Sequence, residues 1–109
     1  MVEESVDVMQ IIRRFENQLN EMGIRVERLW LFGSQARGLA VEGSDIDLVV
    51  ISPDWAGMSE RERLELLGVA AARILEPVQA QGFTPEEVEK GEISAFWQVV
   101  LHAEAVAVE

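Results

Sequence analysis

The stretch LWLFGSQARGLAVEGSDIDLVVIS, from Leu29 to Ser52, constrains this chain more than any other feature. Two short apolar runs, each about a strand in length, enclose a loop rich in glycine, serine and charge. The strand pattern begins at Ile24, ends at Phe32 and is broken by Gly33-Ser34. Residues from Ser34 to about Gly38 can form one or two helical turns, with Ser34 as the cap. Ala40 to Ser44 makes a second loop, and a strand is expected from Asp45 to Ile51. Pro53 ends it, because proline has no N–H to give to a ladder. The polarity therefore sits at the ends of two strands whose other residues want burial.

The flanks supply helices to cover such strands. Val8, Ile11, Ile12, Phe15, Leu19 and Met22 recur at helical spacing before Gly23, a C-terminal stop. Ser59-Glu60-Arg61-Glu62 is a capping box opening a helix whose expected buried stripe is Leu64, Leu67, Ala70 or Ala71, and Ile74. Val78 to Phe83 reads as a weak strand, with Gln79 and Gln81 on one face. Thr84-Pro85-Glu86-Glu87 is a second capping box, its helix reaching about Lys90 before Gly91. A further helix is expected from Ile93 to about Ala103; Ala105 to Val108 is too short to assign. The alternation is that of an α/β fold, a small mixed or partly open β-sheet of three to four strands flanked by helices.

At 109 residues, 49% of them hydrophobic, the chain has room for one core, so a single domain over residues 1–109 is expected. It has no cysteine, which excludes disulfides and thiolate metal sites. No apolar run approaches the roughly 20 residues a bilayer requires, so no membrane span is expected and a cytoplasmic location is. The net charge is −11, from twenty acidic residues against one lysine, Lys90, and eight arginines. Such a surface repels a phosphate backbone, which argues against free nucleic acid as partner and for a basic protein.

Asp45 and Asp47, two apart on a strand, project side by side, while Ile46, Leu48 and Val50 face the core. Carboxylates roughly 7 Å apart at their α-carbons repel unless a cation lies between them. Mg²⁺ suits such a pair when phosphate oxygens and water complete its shell. A bare D-x-D is more often a solvated strand end, because so short a motif recurs by chance. Likewise Gly33, Ser34 and Arg37 can be an ordinary capped turn, or a cradle where backbone amides, a hydroxyl and a guanidinium meet a phosphate. Together, ten residues apart and both at strand boundaries, the two features favour the second reading of each.

Gly33-Ser34, ten residues, then Asp45-Ile46-Asp47-Leu48 resembles the signature of the polymerase-β-type nucleotidyltransferase superfamily. The fuller string, G-S-x-x-x-G followed by S-D-I-D-L, is similar to its smallest members, the minimal nucleotidyltransferases, and the likeness extends over nearly the whole chain. It implies a polymerase-β palm type of fold and a nucleotidyltransferase domain spanning residues 1–109. It also implies that Gly33, Ser34 and Arg37 hold nucleotide phosphates, while Asp45 and Asp47 bind Mg²⁺ or Mn²⁺. The reaction it implies is transfer of a nucleoside monophosphate, AMP from ATP or another NMP from its NTP, to a hydroxyl. Such proteins are typically paired with a HEPN-type helical protein in toxin–antitoxin systems, where this kind of chain resembles the antitoxin.

One position departs from the family pattern. A third carboxylate usually stands on the third strand, where this chain has Gln79. No aspartate follows Asp54, and the nearest glutamate, Glu76, precedes Pro77. An amide is a poor base and a weaker ligand than a carboxylate. The alternative is therefore a catalytically degenerate module that binds a nucleotide or partner. A homo-oligomer is also open, through the helix carrying Phe96 and Trp97, of which one is expected to pack inward. His102 reads as a surface or interface residue, the Glu86 to Glu92 segment as a solvated helix face, and Trp55 as loop packing or a cover for the site.

Overall fold

The computed structural model describes residues 2–33 and 45–108. Helix α1 (Val2–Glu21) buries Ile12, Phe15 and Leu19, the stripe expected from their spacing. It stops where Gly23 takes φ 91°, with Ile24 N–H returning to the Leu19 carbonyl. Strand β1 (Arg28–Phe32) is shorter than its apolar run predicts. The cause lies at Arg25: its N–H, Nε and Nη2 all donate to the Asp54 carboxylate, so this segment is held by a side chain rather than a ladder.

Strand β2 (Ile46–Ile51) runs antiparallel to β1, pairing Phe32 with Asp47 and Arg28 with Ile51. A short 3₁₀ turn (Pro53–Trp55) follows, capped by Ser52, whose Oγ accepts from Asp54 N–H. Trp55 is fully buried on the α1 side of the sheet, and its Nε1 donates to the Val50 carbonyl. It is packing, not a cover for the aspartates. Helix α2 (Glu60–Ile74) opens with both hydrogen bonds of the Ser59/Glu62 capping box. It leads to β3 (Val78–Phe83), parallel to β2, with Asp47 opposite Gln79.

After β3, Thr84 and Glu87 form the second capping box at α3 (Pro85–Glu89). The single helix expected from Ile93 is in fact α4 (Ala95–Val99) continued by a wider turn, Val100–Glu104, closed by Ala105 N–H on the Val100 carbonyl. That turn swings the tail into strand β4 (Val106–Val108), antiparallel to β1. The sheet order is β3-β2-β1-β4, a mixed sheet as the alternation predicted. Helices α1 and α2 cover one face, over Leu29, Ile46, Leu48 and Val50. The other carries Val49, Ile51 and Phe83, packed by Val88, Ile93, Trp97 and Leu101.

The α2 stripe differs from expectation at its first turn. Leu64 is 41% exposed and Arg63 is buried in its place. Stepping back from Ile74 through Ala70 and Leu67 by helical intervals arrives at residue 63. Its guanidinium is fully engaged, donating to the carbonyls of Met58 and Gly82 and, at 2.7 and 3.1 Å, to both Glu87 oxygens. Glu87 is thus an anchor rather than part of a solvated face. Arg63 holds its carboxyl below the ordinary glutamate range, with the Thr84 backbone N–H helping. This ion pair contributes stability above the ordinary glutamate value and loses it as the pH falls through the depressed one. Glu87→Ala, which leaves a buried guanidinium short of acceptors, should cost about 2–3 kcal/mol at neutral pH in urea denaturation, and much less near pH 3.

Candidate active site

The aspartates lie on the face of β2 that the C-terminal elements cover only in part. Asp45 immediately precedes β2 and is exposed; Asp47 is half-buried within it. Alternation on the strand gives Asp47 the same face as Val49 and Ile51, opposite Leu48 and Val50. Register sets Asp47 between Phe32 of β1 and Gln79 of β3. Gly33 ends β1 at φ 72°, and a Cβ there would overlap the Asp47 carboxylate. Only a glycine leaves room for this approach.

Gln79 faces the pair, as its strand position suggested, and its Nε2 donates to Asp45 Oδ2 at 2.7 Å. Among the described residues, no nearby glutamate takes the place of a third carboxylate. Glu76 instead accepts from Arg14 of α1 at 3.3 Å. Among the described residues, no three histidine, aspartate or glutamate side chains gather as a metal cluster. Ser34 and Arg37 of the expected phosphate loop lie outside the described residues. A cavity of about 490 Å³ opens beside Asp47 and Gln79, walled by Phe32, Gln81 and Trp97 with Leu64 at its rim. Trp97 meets Phe32 and Phe83 edge to face, with ring centroids 5.3 and 5.8 Å apart, while Phe96 stays 63% exposed. His102 is exposed and lines a separate cavity with Trp30 and Lys90.

Asp45, Asp47 and Gln79 were named from the sequence; the Phe32 and Trp97 wall beside them was not. Phe32 was recoverable in principle, as the last apolar residue before the glycine break. Trp97 was not, since its partners come from β1 and β3.

The electrostatics follow from position. Burial raises the Asp47 carboxyl above the ordinary aspartate range, and the Asp45 charge raises it further. Two carboxylates and a glycine-lined approach are a donor set that fits a divalent cation with phosphate oxygens. Without a cation, ionising Asp47 costs stability. A raised carboxyl binds more protons folded than unfolded, so stability should fall as the pH rises from the ordinary aspartate value through the raised one. Asp47→Asn should therefore raise the melting temperature in EDTA at pH 7 by a few degrees, and the gain should vanish in melts near pH 3.

The nucleotidyltransferase-domain family matches residues 12–102. Among solved structures, the chain is similar to a candidate nucleotidyltransferase from Sulfolobus solfataricus, with a TM-score of 0.66 and 19% identity over 97% of this chain and 83% of that one. It is also similar to a toxin–antitoxin structure solved with AMP-PNP, with a TM-score of 0.59 and 22% identity over 87% of this chain and 69% of that one. At these identities the structural likeness is one of fold. No curated protein matches the sequence. The family match covers β1, the strand of the aspartates and the strand that carries Gln79, and the chain belongs to the polymerase-β-type nucleotidyltransferases.

Proposed function

We propose that this chain is a minimal nucleotidyltransferase that moves a nucleoside monophosphate, AMP from ATP, onto a hydroxyl of a protein partner. The observation that carries the reading is the carboxylate pair itself: Asp47, half-buried with its charge opposed, set against a glycine that leaves room for nothing larger. Asp45 and Asp47 are the residues that would hold Mg²⁺ or Mn²⁺, with Gly33, Ser34 and Arg37 as the phosphate contacts. A divalent cation bound there supplies neutralisation of the triphosphate and of the pyrophosphate that leaves.

In the reaction, the acceptor oxygen forms a bond to the α-phosphorus and the bond to the bridging oxygen breaks. Asp47, fixed between two strands, orients the nucleotide; Asp45, exposed, lies on the side open to the acceptor. Gln79 cannot usefully take the hydroxyl proton, which leaves to solvent. Activity is accordingly weak or dependent on the partner.

The partner proposed is a basic HEPN-type protein in a toxin–antitoxin pair. A net charge of −11, an exposed Phe96 beside the cavity and the likeness to a toxin–antitoxin structure support this. A second reading, a non-enzymatic antitoxin that only binds nucleotide and partner, is favoured by the amide at position 79. No helix among the described residues is long and apolar enough to cross a membrane.

Co-expression with the host's native partner, followed by incubation with Mg²⁺ and ATP, tests both readings by intact mass. The transferase reading expects the partner to gain one nucleoside monophosphate, and Asp45→Asn/Asp47→Asn to reduce that to background. Partner binding with no mass change, in the parent and in Gln79→Asp alike, would replace it with the second.

A further inference from the structure

Position 79 is where β3 meets the aspartates, and an amide stands there. The Gln79 bond to Asp45 is the one hydrogen bond, among the described residues, that reaches either aspartate side chain. Gln79 is itself exposed, so the core does not depend on it. The two aspartates are therefore restrained by different devices. Asp47 is confined sterically, with its carboxylate against the Cα of Gly33. Among the described residues Asp45 meets no such wall, and the donor that orients it is Gln79.

We propose that Gln79 is a positioning residue that makes the pair selective for a divalent cation already carried by a nucleotide, at the expense of the bare cation. This rests on the reading of Asp45 and Asp47 as the metal pair. An amide orients a carboxylate without adding charge. A carboxylate oxygen has two lone pairs, so the bond to Oδ2 leaves Oδ1 and part of Oδ2 open to a ligand.

The charge arithmetic then separates two ligands. Two ionised carboxylates present −2 to whatever enters, and a carboxylate at position 79 would make that −3. A bare divalent cation gains from each added carboxylate. A divalent cation wrapped by a triphosphate is a net anion, and the same added charge repels it. In a chain already at −11, withholding one negative charge from the mouth of the site favours the anionic complex. Gln79 keeps the orientation that a third carboxylate would give by ligation and omits its charge.

The test is Mn²⁺ titration of the full chain followed by electron paramagnetic resonance, with and without AMP-PNP, for the parent, Gln79→Glu and Gln79→Leu. Gln79→Glu should bind bare Mn²⁺ roughly tenfold more tightly and Mn²⁺·AMP-PNP no more tightly, so the ratio of the two affinities shifts toward the bare ion. Gln79→Leu, of similar volume but without a donor, should weaken Mn²⁺·AMP-PNP roughly tenfold while the metal-free melting temperature stays unchanged. If the parent binds Mn²⁺·AMP-PNP and either the ratio is unmoved in Gln79→Glu or Gln79→Leu binds as the parent does, the selectivity role is overturned and the transferase reading stands. If the parent binds Mn²⁺·AMP-PNP no better than Asp45→Asn/Asp47→Asn, both fall together.

Discussion

Strand β2 is buried on both faces, and the rest of the structure is arranged around that fact. Leu48, Val49 and Val50 have no exposed surface, Leu48 and Val50 meeting α1 and α2 while Val49 meets the C-terminal layer. A slip by one residue would turn every side chain to the other face and drive the Asp47 carboxylate into an apolar core. Burial thus locks the register that puts Asp47 between Phe32 and Gln79. The acidic end of the strand is fixed in place because the rest of it is dry.

The position of β3 depends on a second set of contacts, at its far end. Gly82 admits the Trp55 ring, since a Cβ there would lie 2.8 Å from the indole. The Gly82 carbonyl accepts from Arg63, which also grips Glu87 and so ties α2, β3 and α3 together. With that end clamped and the strand paired to β2 along its length, Gln79 meets Asp45 without any contact of its own to hold the strand. A buried arginine bonded through all three of its guanidinium nitrogens is a costly device, and here it closes the gap where three elements converge.

These restraints leave an acidic, partly open site beside an aromatic wall. The wall is built from Phe32 and Trp97, and Trp97 is held edge to face by Phe83. It stops short of Asp45, which remains in water, and ends in Phe96, which meets Trp97 edge to face and remains exposed. The family match spans the aspartates, which stand at the start of a central strand. Gln79 adds to that end of the sheet a neutral hydrogen-bond donor to Asp45 and no third charge.

Local features were legible in the residues alone. The α1 stripe, both capping boxes and the shared face of Asp45 and Asp47 follow from periodicity and hydrogen-bond chemistry within a few residues, while the place of Gln79 beside them was implied by the family resemblance. Ser34 and Arg37, expected as phosphate contacts, lie outside the described residues. Other features belonged to the tertiary structure. β1 was cut short because Asp54, twenty-nine residues on, takes the Arg25 N–H. Arg63 displaced Leu64 from the core because Glu87 and the Gly82 carbonyl were there to receive its charge. The tail became a strand because a wide turn brought it to the free edge of β1. The Gln79–Asp45 bond and the raised Asp47 carboxyl likewise needed neighbours supplied by separate strands or by packing. Sequence determines what its nearest neighbours can settle; a charge, an edge or a buried donor is settled by whichever distant group arrives to meet it.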